Sequence, residues 1–376
     1  MRREPIELAT AEDPAYLTEQ LITCIGNKRA LLRPIGAAVA EVKRRLNAPR
    51  LRVFDAFAGS GIVSRSFKSH ASTLHSNDLE EYAAVLGRCF LRDRGTVDLE
   101  RLAAIVADFD ARVSDDDGGA PGFFEELYAP RDDARIEPRE RVFYTRGNAR
   151  RLDRYRGLLE TLPVEERELL LGPLLGRASV HANTAGVFKG FYKDRSTRVG
   201  RFGGSGSDAL TRILGAITLD VPVLSRFDCE CVVTQDDANA VARRLTGLDL
   251  AYVDPPYNQH PYGSNYFMLN LLARNRRPER ISRVSGIPED WTRSDYNVRA
   301  RSLPRLRELL ETLDARFVLL SFNDEGFIAP ETLRALLGGL GRVSEFATRY
   351  HAFRGSRNLD RRPTHVTEHL FLLEKA

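Results

Sequence analysis

Residues 248–257, LDLAYVDPPY, restrict the backbone of this chain more than any other stretch. Leu250, Tyr252 and Val253 are residues that favour a buried β-strand. The two prolines that follow cannot donate to a sheet ladder, each fixes its own φ angle, and the second holds the first in an extended conformation. The sequence therefore predicts a strand that ends in a rigid corner.

The chemistry of this corner suits a planar group that carries an amino substituent. Open α/β sheets bind ligands at the carboxyl ends of their strands, which is where the corner is expected. Asp254 supplies hydrogen-bond acceptors, and nearby carbonyls stay free as acceptors because a proline has no N–H. Tyr257 offers a flat aromatic face. From the tetrapeptide alone, an Asp-Pro turn beside a core tyrosine is the alternative interpretation.

A second strand-and-turn pattern, LRVFDAFAGSG, occupies residues 51–61 and precedes a predicted helix. It has the character of a nucleotide-binding loop, but it lacks the G-x-G-x-x-G of dinucleotide folds and the lysine of a Walker loop. Asp55 stands at the strand end, before the glycines, where its charge would repel a pyrophosphate and attract an ammonium group. A ligand with an amino-acid tail therefore fits this loop better than a dinucleotide does.

Further polar residues follow predicted strands or begin a predicted helix. Asp78 lies about 20 residues after the glycine loop, where an acid in nucleotide-binding βαβ units takes ribose hydroxyls. A helix N-cap is its alternative role, and it can serve both. Asp236 and Asp237 follow the next predicted strand, and Asp237 is the preferred partner for an adenine amino group. Gly26 and Lys28 at a helix start are a weak signal for an anion site.

The composition indicates a globular protein of one large domain, or one domain with a substantial insert, in 376 residues. No apolar run approaches the roughly 20 residues of a membrane span, and the N-terminus lacks the apolar region of a signal peptide. The four cysteines are too few for a disulfide framework, and no cluster has metal-ligand spacing. We therefore expect a cytoplasmic protein without a bound metal.

The net charge is only +4, so the distribution of the basic residues says more about a binding partner than the overall charge does. Only six of the 56 basic residues are lysines, and the others are arginines. Arginine forks match phosphates and guanine edges, although a GC-rich coding sequence would also enrich arginine. Bases interleaved with aromatics suit a nucleic-acid backbone, and solvated loops are the alternative. The residues predicted to contact DNA are Lys189, Lys193, Arg195, Arg198, Arg201, Arg274, Arg276, Arg277, Arg354 and Arg357.

The middle of the chain differs in pattern from both ends. Residues 91–228 contain several predicted helices and glycine-rich loops, whereas the strand pattern resumes only at residue 229. This section is therefore predicted to be an insert, and residues 1–20 are predicted to be an irregular leader. After the tetrapeptide, helices and strands alternate, and the last strand suggests a sheet edge that is closed by an antiparallel hairpin.

The ordered set of motifs resembles the DNA adenine-N6 methyltransferases of the alpha group, which contains the Dam-like enzymes, and is closest to its restriction–modification members. DAFAGSG at residues 55–61 comes first, the insert follows, and DPPY at residues 254–257 comes last. Other matching stretches are IGNK (25–28), YGSNY (262–266), RSDYN (293–297), SFNDEG (321–326) and RGSRN (354–358). The resemblance covers almost the whole chain, except the first 20 residues and the acidic loop near residue 115.

This resemblance implies an α/β fold: a Rossmann-like, S-adenosylmethionine-dependent methyltransferase sheet with an inserted, mainly helical target-recognition domain. Residues 1–90 and 229–376 would form the catalytic domain, and residues 91–228 the target-recognition region. Asp55 and the turn at residues 59–61 would hold the methionine end of the cofactor, with help from Gly26 and Lys28. Asp78 would bind its ribose and Asp237 its adenine. The implied cofactor-binding residues are Ile25, Gly26, Lys28, Asp55, Phe57, Gly59, Ser60, Gly61, Asp78, Asp236 and Asp237.

The resemblance also implies the reaction. The catalytic residues would be Asp254, Pro255, Pro256 and Tyr257. An adenine flipped out of double-stranded DNA would stack on Tyr257 and donate its amino hydrogens to Asp254 and to the carbonyl of Pro255. A cognate restriction endonuclease and a monomeric enzyme are further expectations.

Three alternatives stay open. N4-cytosine methylation uses the same amino-group chemistry, but such enzymes usually begin the tetrapeptide with serine. RNA adenine methylation and a catalytically silent DNA-binding protein are the others. A C5-cytosine enzyme would need a cysteine after a proline, and the sequence has none.

Overall fold

The structure is a computed structural model that describes residues 12–115, 119–204, 208–351 and 365–376. Its strands are β1 (Leu51–Asp55), β2 (Ala71–Asp78), β3 (Glu230–Gln235), β4 (Leu248–Val253), β5 (Ala315–Asn323), β6 (Gly341–His351) and β7 (His365–Lys375). Its α-helices are α1 (Pro14–Thr18), α2 (Leu32–Leu46), α3 (Ile62–Phe67), α4 (Glu81–Phe90), α5 (Leu99–Ser114), α6 (Phe123–Tyr128), α7 (Arg146–Leu159), α8 (Val164–Val180), α9 (Asp208–Leu214), α10 (Ala238–Ala242), α11 (Tyr262–Asn265), α12 (Phe267–Arg274), α13 (Arg299–Thr312) and α14 (Pro330–Gly338). Among these helices, none combines the length and apolar composition that crossing a bilayer requires.

The strands form one sheet in the order β3-β2-β1-β4-β5-β7-β6. Strands β1 to β5 run parallel to one another, and β7 pairs antiparallel with both β5 and β6. Parallel neighbours need crossover connections, which the intervening helices supply. This arrangement confirms the predicted Rossmann-like α/β sheet and the antiparallel hairpin at its end.

Successive side chains of the central strands bury both faces of the sheet. On β4, Leu250 and Tyr252 pack with α2 and α3, whereas Ala251 and Val253 pack with α10, α13 and α14 on the opposite face. All four side chains are almost fully buried. The strand is therefore nearly apolar throughout because neither face meets water, and it delivers the DPPY tetrapeptide to the sheet edge.

A helical section separates α4 from β3. In the described part of this section, helices α5 to α9 are present and no β-strand is. The apolar faces of α5 to α8 join α4 and α12 in a hydrophobic cluster that includes Phe143, Tyr155, Leu174 and Phe267. The insert is thus mainly helical, as predicted. The proposed boundary between a catalytic and a target-recognition domain stays a prediction.

The prediction of an irregular leader is wrong for residues 12–20. Asp13 caps α1 through its side chain, and a proline begins the helix, which is a common helix-start pattern. Tyr16 of α1 is buried, and its hydroxyl donates to the carbonyl of Phe90 at 2.7 Å. This segment is therefore tied to the core. Residues 1–11 lie outside the described residues.

Candidate active site

The carboxyl ends of β1, β2, β3 and β4 border one cavity, whose empty space is about 900 Å³ when the open solvent at its mouth is included. The cavity lies where chain order along the sheet reverses, because β1 sits between β2 and β4, and α/β sheets bind ligands at such points. Many of the predicted site residues line it: Ile25, Gly26, Lys28, Phe57, Gly59, Ser60, Asp78, Asp236, Asp237, Asp254 and Pro256. The fold thus brings together segments that are far apart in the sequence.

Four of the predicted cofactor-binding and catalytic residues do not line this cavity: Asp55, Gly61, Pro255 and Tyr257. Asp55 is fully buried at the end of β1. Tyr257 packs against Phe322, with ring centroids 5.7 Å apart. These residues are therefore neighbours of the cavity wall, and direct contact between them and a ligand stays a prediction.

The glycine loop is held by hydrogen bonds to two neighbouring strands. Ala56 donates its N–H to the carbonyl of Tyr252 on β4 at 3.0 Å. The N–H of Gly59 donates to Asp78 Oδ2 at the end of β2, at 2.7 Å. Gly59 and Gly61 have φ angles of 55° and 75°. Residues with side chains rarely adopt such angles, which explains the glycines at these two positions.

Asp55 carries an acceptor that is incompletely used. Its Oδ2 accepts a hydrogen bond from the Ser64 hydroxyl at 2.6 Å, whereas Oδ1 makes no hydrogen bond of good geometry to the described residues. Burial raises the pKa of Asp55 to about 7; Ser64 and the backbone N–H of Phe57 oppose this, and the charge of Asp254 adds to it. Leaving a buried acceptor unsatisfied costs roughly 1–3 kcal/mol. Asp55 does not line the cavity, so a contact between its Oδ1 and a ligand donor stays a prediction.

Asp78 organises the loop from the end of β2. Its Oδ2 accepts from Gly59, and its Oδ1 accepts from the N–H of Glu80 at 2.9 Å. Burial raises the pKa of Asp78, and these two backbone donors oppose the rise. The alternative role of Asp78 as a helix N-cap is wrong, because α4 begins at Glu81 and its N-cap residue is Glu80.

Glu80 also lines the cavity and is not found by the sequence analysis. Asn270 donates to Glu80 Oε2 at 2.6 Å. Burial raises the pKa of Glu80 to about 8, with the Asn270 hydrogen bond acting against it. An acid two residues after Asp78 is the sequence signal for this residue, but the same pattern also begins many solvated helices.

The two acids after β3 line the cavity but already have partners. Arg305 donates to both carboxylate oxygens of Asp237 at 2.8 Å, and Asp237 also caps α10. Arg244 donates to Asp236 at 2.7 Å, which holds the pKa of Asp236 below its ordinary value. An adenine at either residue would add to these contacts. The assignment of adenine binding to Asp237 stays a prediction.

Ile25 is fixed by the stretch that follows the tetrapeptide. Its N–H donates to the Tyr266 hydroxyl at 2.7 Å, and its carbonyl accepts from the Tyr262 hydroxyl at 3.1 Å. The IGNK and YGSNY motifs therefore form one side of the cavity together.

A buried ion-pair cluster holds Asp254 at the end of β4. Lys28 Nζ lies 3.1 Å from Asp254 Oδ1 and 2.8 Å from Glu368 Oε1. Burial raises the pKa of Asp254 to about 7; Lys28 lowers it and Glu368 raises it. Burial lowers the pKa of Lys28, but the two carboxylates outweigh this and raise it. Lys28, one of the implied cofactor-binding residues, is thus ion-paired with the DPPY corner, and its contact with a cofactor stays a prediction.

The rest of the corner supplies a free acceptor and a ring. The carbonyl of Pro255 accepts no hydrogen bond from the described part of the chain. The centroid of the Tyr257 ring lies 5.6 Å from Lys28 Nζ. The backbone carbonyl of Tyr257 accepts a hydrogen bond from the N–H of Phe327 at 2.8 Å. Burial raises the pKa of the Tyr257 hydroxyl to about 12, so this ring is neutral. Two oxygen acceptors and an aromatic ring therefore meet at the end of β4.

Glu368 is a second residue that the sequence analysis misses. It lies fully buried on β7, where the Ser321 hydroxyl donates to its Oε1 at 2.5 Å. Val366 and Leu370, two residues to either side, are also buried. A glutamate at an apolar position of an alternating strand is the signal that could have identified it.

One exposed turn carries several predicted DNA-contacting residues. Lys193 and Gly200 pair as an antiparallel bridge, and Asp194 accepts hydrogen bonds from backbone N–H groups inside the turn. Arg195 and Arg198 are exposed, and neither forms an ion pair with the described residues. Their guanidinium groups are therefore open to an external anion.

Other predicted DNA-contacting arginines are engaged within the protein. Arg201 donates to the carbonyl of Gly204 at 3.0 Å. Lys189, another of the predicted DNA-contacting residues, is exposed. Three arginines at the end of α12 or just after it face acids, in the pairs Arg274–Glu81, Arg276–Asp290 and Arg277–Glu126. Arg354 and Arg357 lie outside the described residues. DNA contact by all of these residues stays a prediction.

A sequence profile of D12 class N6 adenine-specific DNA methyltransferases matches residues 25–135 and 227–336, which is more than half of the chain. The chain belongs to this family. The matched ranges contain the glycine loop, the acids at the strand ends and the DPPY corner, so the match falls on the residues that surround the cavity. It confirms the resemblance to adenine-N6 methyltransferases.

Relatives of this DNA methyltransferase align over most of its length. Type II methyltransferase M.NlaIII of Neisseria lactamica is 26% identical over 336 residues, which cover 85% of this chain and 90% of the relative. Type II methyltransferase M.CviAII of Paramecium bursaria Chlorella virus 1 is 28% identical over 320 residues, covering 83% and 86%. Modification methylase StsI of Streptococcus sanguinis is 27% identical over 331 residues, covering 83% of this chain and 45% of the relative.

Proposed function

We propose that this methyltransferase transfers a methyl group from S-adenosylmethionine to the N6 amino group of an adenine that is flipped out of duplex DNA. One observation carries the proposal: the Asp254 carboxylate, held 3.1 Å from Lys28, stands at the cavity wall next to the unoccupied acceptor of Pro255. Two acceptors suit the two hydrogens of an exocyclic amino group. A base inside the stack cannot reach such a cavity, so flipping is required.

The donor and acceptor set around the cavity fits S-adenosylmethionine. The incompletely bonded Oδ1 of Asp55 suits the ammonium of an amino-acid tail. The carboxylate of Asp78 suits ribose hydroxyls, and Phe57 and Ile25 supply apolar surface for a base. When bound, this cofactor supplies an electrophilic methyl group on a sulfonium. These features support the cofactor assignment.

The residues of the corner act on the amino nitrogen. This nitrogen is a weak nucleophile because its lone pair is delocalised into the ring. Hydrogen bonds to Asp254 and to the Pro255 carbonyl favour a tetrahedral nitrogen and stabilise the positive charge that develops on it. After methyl transfer the nitrogen is cationic and loses a proton, and the Asp254 carboxylate is an acceptor already bonded to such a proton. The rigid tetrapeptide holds both acceptors in place during these steps.

Modification-sensitive sequencing tests the reaction directly. DNA would be taken from a host that lacks adenine methylation and expresses either the wild-type protein or the Asp254→Ala variant. N6-methyladenine at one short motif, absent with the variant, is the expected result. Methylcytosine at a motif would indicate N4-cytosine chemistry instead. The absence of modified bases in DNA would shift support to an RNA substrate or to a silent DNA-binding protein.

We expect the rate of methyl transfer to fall as the pH drops through about 7. The raised pKa of Asp254 means that this carboxyl is ionised above that pH and protonated below it, and the protonated form loses acceptor capacity. The measurement is a single-turnover rate between about pH 5.5 and 9. Cofactor must be saturating at each pH, because the pKa of Asp55 is also raised to about 7. A flat profile down to the lowest pH would contradict the role of Asp254.

We expect the double variant Arg195→Ala/Arg198→Ala to bind duplex DNA more weakly and with a flatter salt dependence. Each lost phosphate contact reduces the log–log slope by roughly 0.9. The measurement is DNA affinity by fluorescence anisotropy at several salt concentrations. Arg307→Ala/Arg316→Ala is the matched control, since these arginines lie on α13 and β5 and carry no predicted DNA contact. An unchanged slope would make the turn a solvated loop.

The arginines at the end of α12 and just after it need a separate test because they already have acidic partners. Truncation of Arg274, Arg276 and Arg277 weakens DNA binding if they also contact phosphates. A flatter salt slope would support that contact. An unchanged slope together with a lower melting temperature would assign these arginines to their ion pairs within the protein.

We further propose that this enzyme is a site-specific adenine methyltransferase of a restriction–modification system. The names of the type II and modification relatives support this proposal. A cognate restriction endonuclease would then cleave the same unmodified site. We propose a monomer acting on double-stranded DNA in the cytoplasm, and sedimentation of the free protein and of its DNA complex tests the oligomeric state.

A further inference from the structure

Glu368 belongs to a chain of contacts that connects β7 to the DPPY corner. The Ser321 hydroxyl on β5 donates to Glu368 Oε1 at 2.5 Å, and the same oxygen lies 2.8 Å from Lys28 Nζ. On its other side, Lys28 Nζ lies 3.1 Å from Asp254 Oδ1. The order of contact is therefore serine, glutamate, lysine, aspartate, and the last of these faces the cavity.

Fold stability alone does not explain a glutamate at this position. Lys28 is 3% exposed and Glu368 is 0% exposed. Burying an ion pair of this kind carries a large desolvation cost, and apolar residues of similar volume often serve stability equally well or better. The nearest residues on the same face of β7, Val366 and Leu370, are apolar and buried. The charged cluster therefore calls for a functional explanation.

We propose that Glu368 is a positioning residue for methyl transfer, which holds Lys28 so that the lysine ammonium keeps Asp254 directed at the adenine amino group. The inference rests on the proposed function. A lysine stem has four flexible carbons and does not fix its own ammonium. Glu368 sits on β7, which is hydrogen-bonded to a strand on each side, and Ser321 fixes its carboxylate. The sheet therefore fixes the position of Glu368, Glu368 fixes the ammonium of Lys28, and Lys28 in turn fixes the carboxylate of Asp254.

The charge of Glu368 adds a measurable consequence. With Glu368 neutral, Lys28 faces a single carboxylate, and Asp254 loses a nearby like charge. The pKa of Asp254 then falls, and its carboxylate persists to lower pH. The titratable groups coupled to Asp254 or to Lys28 are Glu368, Asp55, Tyr252, Tyr257, Tyr262 and Cys24. The phenols and the thiol are neutral near pH 7, because burial raises the pKa of each.

The test compares Glu368→Gln and Glu368→Ala in the full-length chain. The glutamine keeps acceptor and shape but removes the charge, so we expect the acid limb of the single-turnover rate to move to lower pH. The alanine removes the support of Lys28, so we expect a rate loss of about 10- to 100-fold, as small misplacements of reacting groups produce. The dissociation constant for S-adenosylmethionine should change by less than about 3-fold, because Glu368 does not line the cavity.

Glu345→Gln is the matched control, since Glu345 lies on the neighbouring strand β6 and pairs with Arg334 at 2.8 Å, away from Asp254. It should leave rate and pH profile unchanged. The inference would be overturned if the wild type is active and the Glu368→Gln variant keeps both its rate and its acid limb. This comparison tests the inference even if the Glu368→Ala protein fails to fold. A wild type that methylates no adenine would overturn the proposed function, and this inference with it.

Discussion

Replacing Asp254 with alanine is expected to reduce the rate of methyl transfer by roughly 10²- to 10³-fold. The carboxylate is assigned to the nitrogen that becomes cationic, so the variant loses an interaction that is strongest in the transition state. The adenine amino group would retain only the Pro255 carbonyl. S-adenosylmethionine affinity should largely persist, because Asp55 and Asp78 are assigned to the cofactor and lie on other strands.

The single-turnover rate and the cofactor dissociation constant together decide this prediction. The fold should survive, because Lys28 keeps its contact with Glu368 and the cluster becomes electrically balanced. Asp249→Ala is the matched control: Asp249 lies on the same strand, and its carboxylate accepts from the N–H of Arg52 at 2.8 Å. Loss of cofactor binding along with the rate would mean that Asp254 belongs to the cofactor site.

The strand-end acids could be predicted from sequence because parallel strands bring their carboxyl ends to one edge. Asp55, Asp78 and Asp254 each end or directly follow a strand, and β2, β1 and β4 are consecutive in the sheet. Local patterns find each strand and each turn, and the geometry of a parallel sheet then places the acids together. The position of the glycine turn follows equally from local backbone requirements.

The partners of these acids could not be predicted, because they depend on tertiary contacts. Lys28 belongs to a short 3-10 helix at the start of the chain, and Glu368 to the last strand. The contacts of Lys28 with Asp254 and with Glu368 require the complete sheet, including the insertion of β7 between β5 and β6. A lysine at a helix start and a glutamate in a strand have no local feature that specifies this pairing.

The same limit applies to the arginines. Arginines 195 and 198 look no different in sequence from Arg274 and Arg277, yet the first two are exposed without an ion pair to the described residues and the last two face acids. Clustering of bases predicts a local charge density but not whether that charge is already paired. Surface pairs also contribute little to stability, so only DNA affinity can separate the two groups.

Replacing Asp78 with alanine is expected to weaken S-adenosylmethionine binding by roughly 10- to 100-fold, while DNA binding by the free enzyme changes little. A hydrogen bond to a charged group contributes about 1.5–3 kcal/mol, which corresponds to this range. The variant would lose the contacts of the carboxylate with the ribose hydroxyls. It would also lose the hydrogen bonds that Asp78 accepts from the N–H groups of Gly59 and Glu80. Equilibrium dialysis with labelled cofactor measures the effect, and Asp236→Ala should show a smaller one because Asp236 is paired with Arg244 and partly exposed.

Asp78→Asn separates the two contributions to this loss. The amide keeps one oxygen that can accept from a backbone N–H of the loop, but it removes the negative charge and one acceptor. If ribose binding by the carboxylate dominates, the asparagine variant should bind the cofactor almost as weakly as the alanine variant. If asparagine restores wild-type affinity, Asp78 acts through the backbone of the glycine loop, and the ribose assignment is wrong. Wild-type affinity in both variants would remove Asp78 from the cofactor site altogether, despite its position on the cavity wall.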